Sequence, residues 1–139
     1  MIGDTDIHLF LRGLLLDGID VHNLDTPVLF ENIDKKNLPS TFIVEQLIPR
    51  DEVSYSDNYE YGYGLYKLTV FADVGTGLLL TRITDTLKSI FKYTTYDVDT
   101  EAGVSLCIDK VYSNELLYEE DSDKVQKTIA VQYRKIKIK

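Results

Sequence analysis

Asp97, Asp99 and Glu101 alternate along the chain, a spacing that can line carboxylates on one side of an extended segment, as a hydrolase or a calcium loop requires. The glycine and the closing bidentate glutamate of an EF-hand loop are missing, and acidic clusters in an acidic chain are usually solvated. His8 and His22 are the only imidazoles, and neither stands at a ligand spacing to another metal-binding side chain. His8 falls in a helical segment and His22 in a polar turn beside Asp20 and Asp25, so packing or surface roles are expected for both. Cys107 sits in an alternating segment with no neighbour that would activate its thiol, and reads as a strand residue. Gly75, Thr76 and Gly77 precede a helix, where free amide hydrogens can hold an anion. Without a P-loop lysine or a dinucleotide fingerprint, they read as a tight strand-to-helix turn capped by Thr76. Neither a Ser–His–Asp order, nor paired catalytic acids, nor a cofactor signature stands out. The expectation is therefore no enzyme, no cofactor and no metal; a small metal-dependent or ligand-binding domain using the three carboxylates is the alternative from another class.

Binding is better represented than catalysis. Tyr55, Tyr59, Tyr61, Tyr63 and Tyr66 crowd one short stretch beside Asp57 and Glu60. Tyrosine offers a large contact area with only two torsions to fix, so the cluster suits an interface, while strand propensity in a hairpin explains it equally well. Lys124, Lys127, Arg134 and Lys135 belong to a closing segment that carries a charge of +6 and no acid, leaving −14 for the remainder of a chain whose net charge is −8. So acidic a body disfavours coating nucleic acid, because it forfeits counterion release.

The elements that must position these residues are legible from apolar spacing. In TDIHLFLRGLL, Ile7, Phe10, Leu11, Leu14 and Leu15 form a helical stripe behind a cap at Asp4 or Thr5, and Asp17, Gly18 and Asp20 are expected to end it. PVLFEN reads as a short strand. TFIVEQLIP follows with Phe42, Val44 and Ile48 on one face and Ile43 and Leu47 on the other. RDEVSYSDNYEYGYG is polar, tyrosine-rich and glycine-punctuated, which predicts a long hairpin connection or a projecting loop, the most mobile part of the chain. LYKLTVFAD alternates strictly, with Tyr66, Leu68, Val70 and Ala72 on one face. LLLTRITDTLKSIFK is an amphipathic helix with Leu79, Leu80, Ile83, Leu87, Ile90 and Phe91 on one stripe and Arg82, Asp85 and Lys88 opposite. TYDVDTEAG and YEEDSD read as polar turns flanking a strand that points Val104, Leu106 and Ile108 inward. In the closing segment the apolar phase moves from Val125, Ile129, Val131 and Tyr133 to Ile136 and Ile138, which predicts a bulge or bend near Arg134 or a new partner for the end of the strand.

A chain of 139 residues, 44% hydrophobic and 27% charged, fits one globular domain spanning 1–139. The predicted class is α+β, a mainly antiparallel or mixed sheet of about four to five strands with two helices on one face. A lone cysteine excludes an internal disulfide. LFLRGLLL is interrupted by Arg12 and Gly13 and follows Asp4 and Asp6 instead of a positive segment, so cytosolic folding without an anchor is expected.

The succession of an N-terminal helix, PVLFEN, TFIVEQLIP, a glycine-containing loop and GLYKLTVFADVGTG running into LLLTRITDTLKSIFK, closed by KTIAVQYRKIKI, resembles the phage tail terminator (tail completion) proteins, of which the lambda-like terminators are one branch. The tryptophan that members often carry near the first strand is replaced here by Leu29 and Phe30. The resemblance implies a structural virion protein, assembled in the host cytoplasm and residing at the tail–head junction. Its working form would be a homohexameric ring, with a monomer when free as the alternative, that caps the tube of major tail tube protein, stops its growth and receives the head–tail connector. DNA would cross the ring without specific binding, and an acidic lumen would let it slide. Another neck or connector protein is the neighbouring alternative. Under the resemblance, Tyr55, Tyr59, Tyr61, Tyr63, Lys124, Lys127, Arg134 and Lys135 are the expected oligomer or tube contacts.

Overall fold

Tyr59–Asp73 alternates buried and half-buried residues over its inner length, and that strand lies at the heart of the sheet. A computed structural model of the chain describes residues 4–29, 39–55, 58–73, 75–91, 95–113, 117–118 and 124–138. Its elements are α1 (Asp4–Val21), β1 (Val28–Leu29), β2 (Phe42–Tyr55), β3 (Tyr59–Asp73), α2 (Gly77–Ile90), β4 (Thr95–Asp99), β5 (Val104–Ser113), β6 (Leu117–Tyr118) and β7 (Lys124–Ile138). The class is α+β, with one mixed sheet in the order β1-β2-β3-β7-β5-β4 and β6 paired to β7. Only the two-residue β1 runs parallel to its neighbour, β2; the remaining pairs are antiparallel.

Seven strands among the described residues exceed the expected four to five. The short strand expected at PVLFEN is the two-residue β1, and of the two additional strands β6 also spans two residues. The other, β4, lies in TYDVDTEAG, which polarity made look like a turn; its Asp97 and Thr95 are exposed while Tyr96 is half-buried, as an edge strand allows. Of the segment expected to be a long hairpin connection or a projecting loop, residues 50–55 and 59–64 are strand. β2 and β3 remain paired out to Tyr55 and Glu60, with one irregularity between Pro49 and Val53.

Pairing of β3 with β7 is unbroken from Tyr59↔Ile138 to Asp73↔Lys124. The bulge expected near Arg134 lies instead on the opposing strand β5, between Ile108 and Lys110. The apolar phase of β7 changes for another reason. Val125, Ile129, Val131 and Tyr133 face the helices, whereas Ile136 and Ile138 share the opposite face with Tyr61 and Tyr59.

Both helices pack on one face of the sheet. Ile7, Leu11 and Leu15 of α1 and Leu80, Ile83 and Leu87 of α2 join Tyr66, Leu68, Val70, Leu106, Ile108 and Val131 in a single core. In α2, Thr84 is buried and Leu79 is 43% exposed, so the stripe is rotated from the one periodicity suggested. Thr76 precedes α2 without a side-chain cap; its hydroxyl donates to the Asp73 carbonyl, and Gly75 supplies the positive φ of 93° that the turn needs.

α1 continues through Gly13 and Gly18 to Val21, beyond its expected end. Each fully buried Leu or Ile contributes roughly 1.5–3 kcal/mol, and a mid-helix glycine costs about 1 kcal/mol, so three buried anchors outweigh both glycines. Gly18 has a specific use. A Cβ there would stand 2.5 Å from Cγ1 of Ile90, so its absence lets the two helices touch, whereas Gly13 faces open space. Gly18→Ala should therefore destabilise by roughly 1–3 kcal/mol through overpacking against a β-branched side chain. Gly13→Ala should stabilise by about 0.5–1 kcal/mol. Urea midpoints of the two variants check both signs.

Candidate functional site

Beyond the helices the sheet carries a cluster on its uncovered face. The register sets Tyr59 beside Ile138, Tyr61 beside Ile136 and Tyr63 beside Arg134. The Tyr59 and Tyr61 rings lie 6.1 Å apart, and the Arg134 guanidinium is 5.7 Å from the centre of the Tyr61 ring. Arg134 also donates to Cys107 Sγ at 3.7 Å and to Asp109 Oδ1 at 3.3 Å. The contact with Cys107 raises the guanidinium pKa further; desolvation opposes this, and the nearby Asp109 carboxylate adds to it. Arg134 is a fixed cation held among aromatic and aliphatic neighbours. Tyr59 is 40% exposed and Ile138 57%, so apolar area is left open at the tip of the sheet.

The residues expected to act together divide into four groups. Tyr59, Tyr61, Tyr63 and Arg134 converge on the uncovered face. Tyr55 pairs with Glu60 at the same end of the sheet. Lys127 and Lys135 stand on the helix-bearing side, Lys127 opposite Val70 and Lys135 opposite Gly62. Lys124 stands at the far end of β7, roughly 33–46 Å of strand from Tyr63, Tyr61 and Tyr59 at about 3.3 Å per residue. There its ammonium donates to Asp73 Oδ1 at 2.6 Å and to the Ser40 carbonyl at 2.9 Å, stitching the fold.

The acidic trio is not a site of converging carboxylates. Asp97 accepts from Ser105 Oγ at 3.4 Å, and Asp99 Oδ1 accepts from the Ala102 amide at 3.0 Å within the turn that carries exposed Glu101. Among the described residues no three His, Cys, Asp or Glu side chains group as a metal site. Nor is any described helix long and apolar enough to cross a membrane. An open groove of about 580 Å³ lies between His22–Pro27, Pro39–Thr41 and the α2 residues Leu79, Arg82, Ile83 and Thr86. Its walls bring no second imidazole or thiol to His22.

The most unusual group in the molecule was not singled out by sequence reasoning. Glu45 points to the helix side of β2, where it is 1% exposed. Its Oε1 accepts from Arg12 Nε at 2.7 Å and lies 3.0 Å from His8 Nε2, and its Oε2 accepts from the Tyr66 hydroxyl. Two adjacent turns of α1 are thereby tied to β2 and β3. The signal was present: in TFIVEQLIP, Glu45 alternates with Ile43 and Leu47 on the inward face and needs partners there. His8, expected to pack, does so, its ring 5.9 Å from that of Tyr66. The arrangement saturates a carboxylate and leaves no room at it for a substrate, which makes it a structural anchor.

No protein-family profile and no curated protein matches the chain. Among solved structures, one whose name is a bare sequence identifier superposes over 100% of this chain and 97% of its own, with TM-score 0.67 and 13% sequence identity. A likeness at that identity shows the shared fold alone.

Burial, then the hydrogen bond to Glu45, pushes the Tyr66 hydroxyl far above its ordinary pKa of 10.0. The native state therefore keeps this proton where the unfolded chain releases it. The associated stability is complete below about pH 10 and declines above it by up to about 1.4 kcal/mol per pH unit. Tyr66→Phe should cost roughly 1.5–3 kcal/mol at neutral pH, by leaving Oε2 without its donor, and should flatten the decline above pH 10. Urea unfolding of both proteins across neutral and alkaline pH checks the sign and the slope.

Proposed function

We propose that the protein is a phage tail terminator, acting as a hexameric ring that caps the tail tube, stops its polymerisation and offers a surface to the head–tail connector. The sequence resemblance supports this reading, and the observation that carries it is the exposed tyrosine, isoleucine and arginine cluster at the tip of the sheet. Such a cluster suits protein contact, since large aromatic area and arginine dominate interface energetics. No covalent chemistry is involved. The ring works by differential contacts, one surface complementary to the tube end and another to the connector. Tyr59, Tyr61, Tyr63 and Arg134 belong to a contact surface, Lys127 and Lys135 lie on its reverse side, and Tyr55 is paired with Glu60 outside that cluster. Lys124 is already engaged within the fold and contributes to folding instead.

The −14 carried outside the closing segment suits a lumen that DNA traverses without sticking. Shortening the hairpin is a poor test, because residues 59–62 pair with 135–138 and their loss would disturb β7. A substitution on the uncovered face is cleaner. Tyr61→Ala combined with Arg134→Ala should leave the urea midpoint within about 1 kcal/mol of wild type, apart from lost cross-strand contacts, while lowering capping at least about tenfold. Capping is read by electron microscopy of polymerising cognate tube protein mixed with the chain. Rings on tube ends and a narrowed length distribution are expected with the wild type. Tubes that grow unchanged and bare would overturn the proposal.

A further inference from the structure

The helix layer has its own unpartnered face, on the side opposite the tyrosine cluster. Along α1, Leu9 and Leu16 are 55% and 44% exposed, and they share the outward side with Asp17 and Asp20. Successive residues turn by about 100°, which sets Leu9, Leu16 and Asp20 within a narrow stripe directly away from Ile7, Leu11 and Leu15. The cation of this helix does not offset the acids, because Arg12 turns inward to Glu45. The outer surface of α1 is therefore apolar with an acidic rim.

The uncovered sheet face has the opposite character. Tyr59, Ile136 and Ile138 give it exposed or half-exposed apolar area. Lys67 and Lys110 lie on the same face, opposite Ala130 and Gln132 of β7, and Arg134 stands among the tyrosines. Among the described residues of this face, Asp109 accepts from Arg134 and Asp73 from Lys124, while Asp97 accepts only from the neutral Ser105 and keeps its charge, so Lys67 and Lys110 leave a small positive excess. One chain thus carries two distinct apolar surfaces of opposite charge on opposite sides of its sheet. Surfaces related in this way satisfy each other head to tail, which closes a ring when the rotation permits.

We infer that the outer face of α1 in one copy docks on the uncovered sheet face of the next, Leu9 and Leu16 meeting the Tyr61 and Ile136 region while Asp17 and Asp20 meet Lys67 and Lys110. The contact rests on the ring reading for its closure and number of copies, and on charge and apolar complementarity for its choice of surfaces. Opposite charges at the rim fix the register, and the apolar centre holds the pair.

The test is a charge exchange. One variant carries Asp17→Lys with Asp20→Lys, the other Lys67→Glu with Lys110→Glu. All four positions are at the surface or half-buried, and circular dichroism and urea midpoints verify folding. Each protein is run in sedimentation velocity at its highest soluble concentration. The wild type should associate, and each variant alone should associate at least about tenfold more weakly, since both of its surfaces then carry one sign. An equimolar mixture should recover the wild-type species, because both kinds of contact are again between opposite signs. A monomeric wild type, variants that associate like the wild type, or a mixture that recovers nothing would each overturn the contact. Tube capping by a wild type whose association ignores all four charges would overturn this contact and leave the terminator reading standing. Recovery in the mixture without any capping would do the reverse.

Discussion

A single buried carboxylate organises the molecule. Glu45 sits on the inward face of β2 among Ile43, Leu47 and the α1 anchors, where an ionised group without partners would cost several kcal/mol. Arg12, His8 and Tyr66 together satisfy it, and each comes from a defined place: two from α1, one from β3. Apolar packing of Ile7, Leu11 and Leu15 would hold α1 against the sheet at many rotations and offsets. The four-residue step from His8 to Arg12 permits one. Specificity of placement, more than gross stability, is what the cluster supplies.

Fixing α1 on one side decides what the other side can be. Core burial is complete on the helix side, where Tyr66, Leu68, Val70 and Ala72 are sealed, and the opposite face is left to Lys67, Thr69 and Phe71. An antiparallel sheet tolerates this asymmetry because its hairpins need no helices on the second face. Past the helices the strands run on, and Tyr59, Tyr61, Ile136 and Ile138 gather where neither described helix covers them. The inward pull on Arg12 acts in the same direction, since it strips α1 of its only outward-capable cation and leaves Asp17 and Asp20 to set the sign of that surface.

The parts legible in the sequence are those whose burial follows a clean period. β3, α2 and the inner half of β5 alternate or repeat as their packing demands. Beyond Leu65 the sequence fits a long hairpin and a projecting loop equally because, outside the helix layer, polar residues can occupy both faces; the periodic signal disappears although the pairing continues to Tyr55 and Glu60. β4 was missed for the related reason that an edge strand carries Asp97 and Thr95 without penalty. The phase change in β7 was real, but its cause was a change in which face is covered, with the bulge on β5. At the site, the tyrosines and Arg134 were visible as residue types, yet their pairing required the β3–β7 register. Lys124 could not be separated from the other cations by composition alone. Glu45 is hidden in the sequence because TFIVEQLIP carries apolar residues on both faces, and only the partners on α1 show which face is sealed.

Much therefore depends on whether the two faces that Glu45 and α1 define meet each other between copies. A cryo-electron microscopy reconstruction of the assembled protein, alone or on a tube end, answers that directly. A closed ring with α1 of each copy seated on the uncovered sheet face of its neighbour, and the Tyr59–Tyr61 end removed from solvent, is the predicted result. Helices packed against helices across a two-fold axis, or a ring that leaves the uncovered sheet face in solvent, would contradict it.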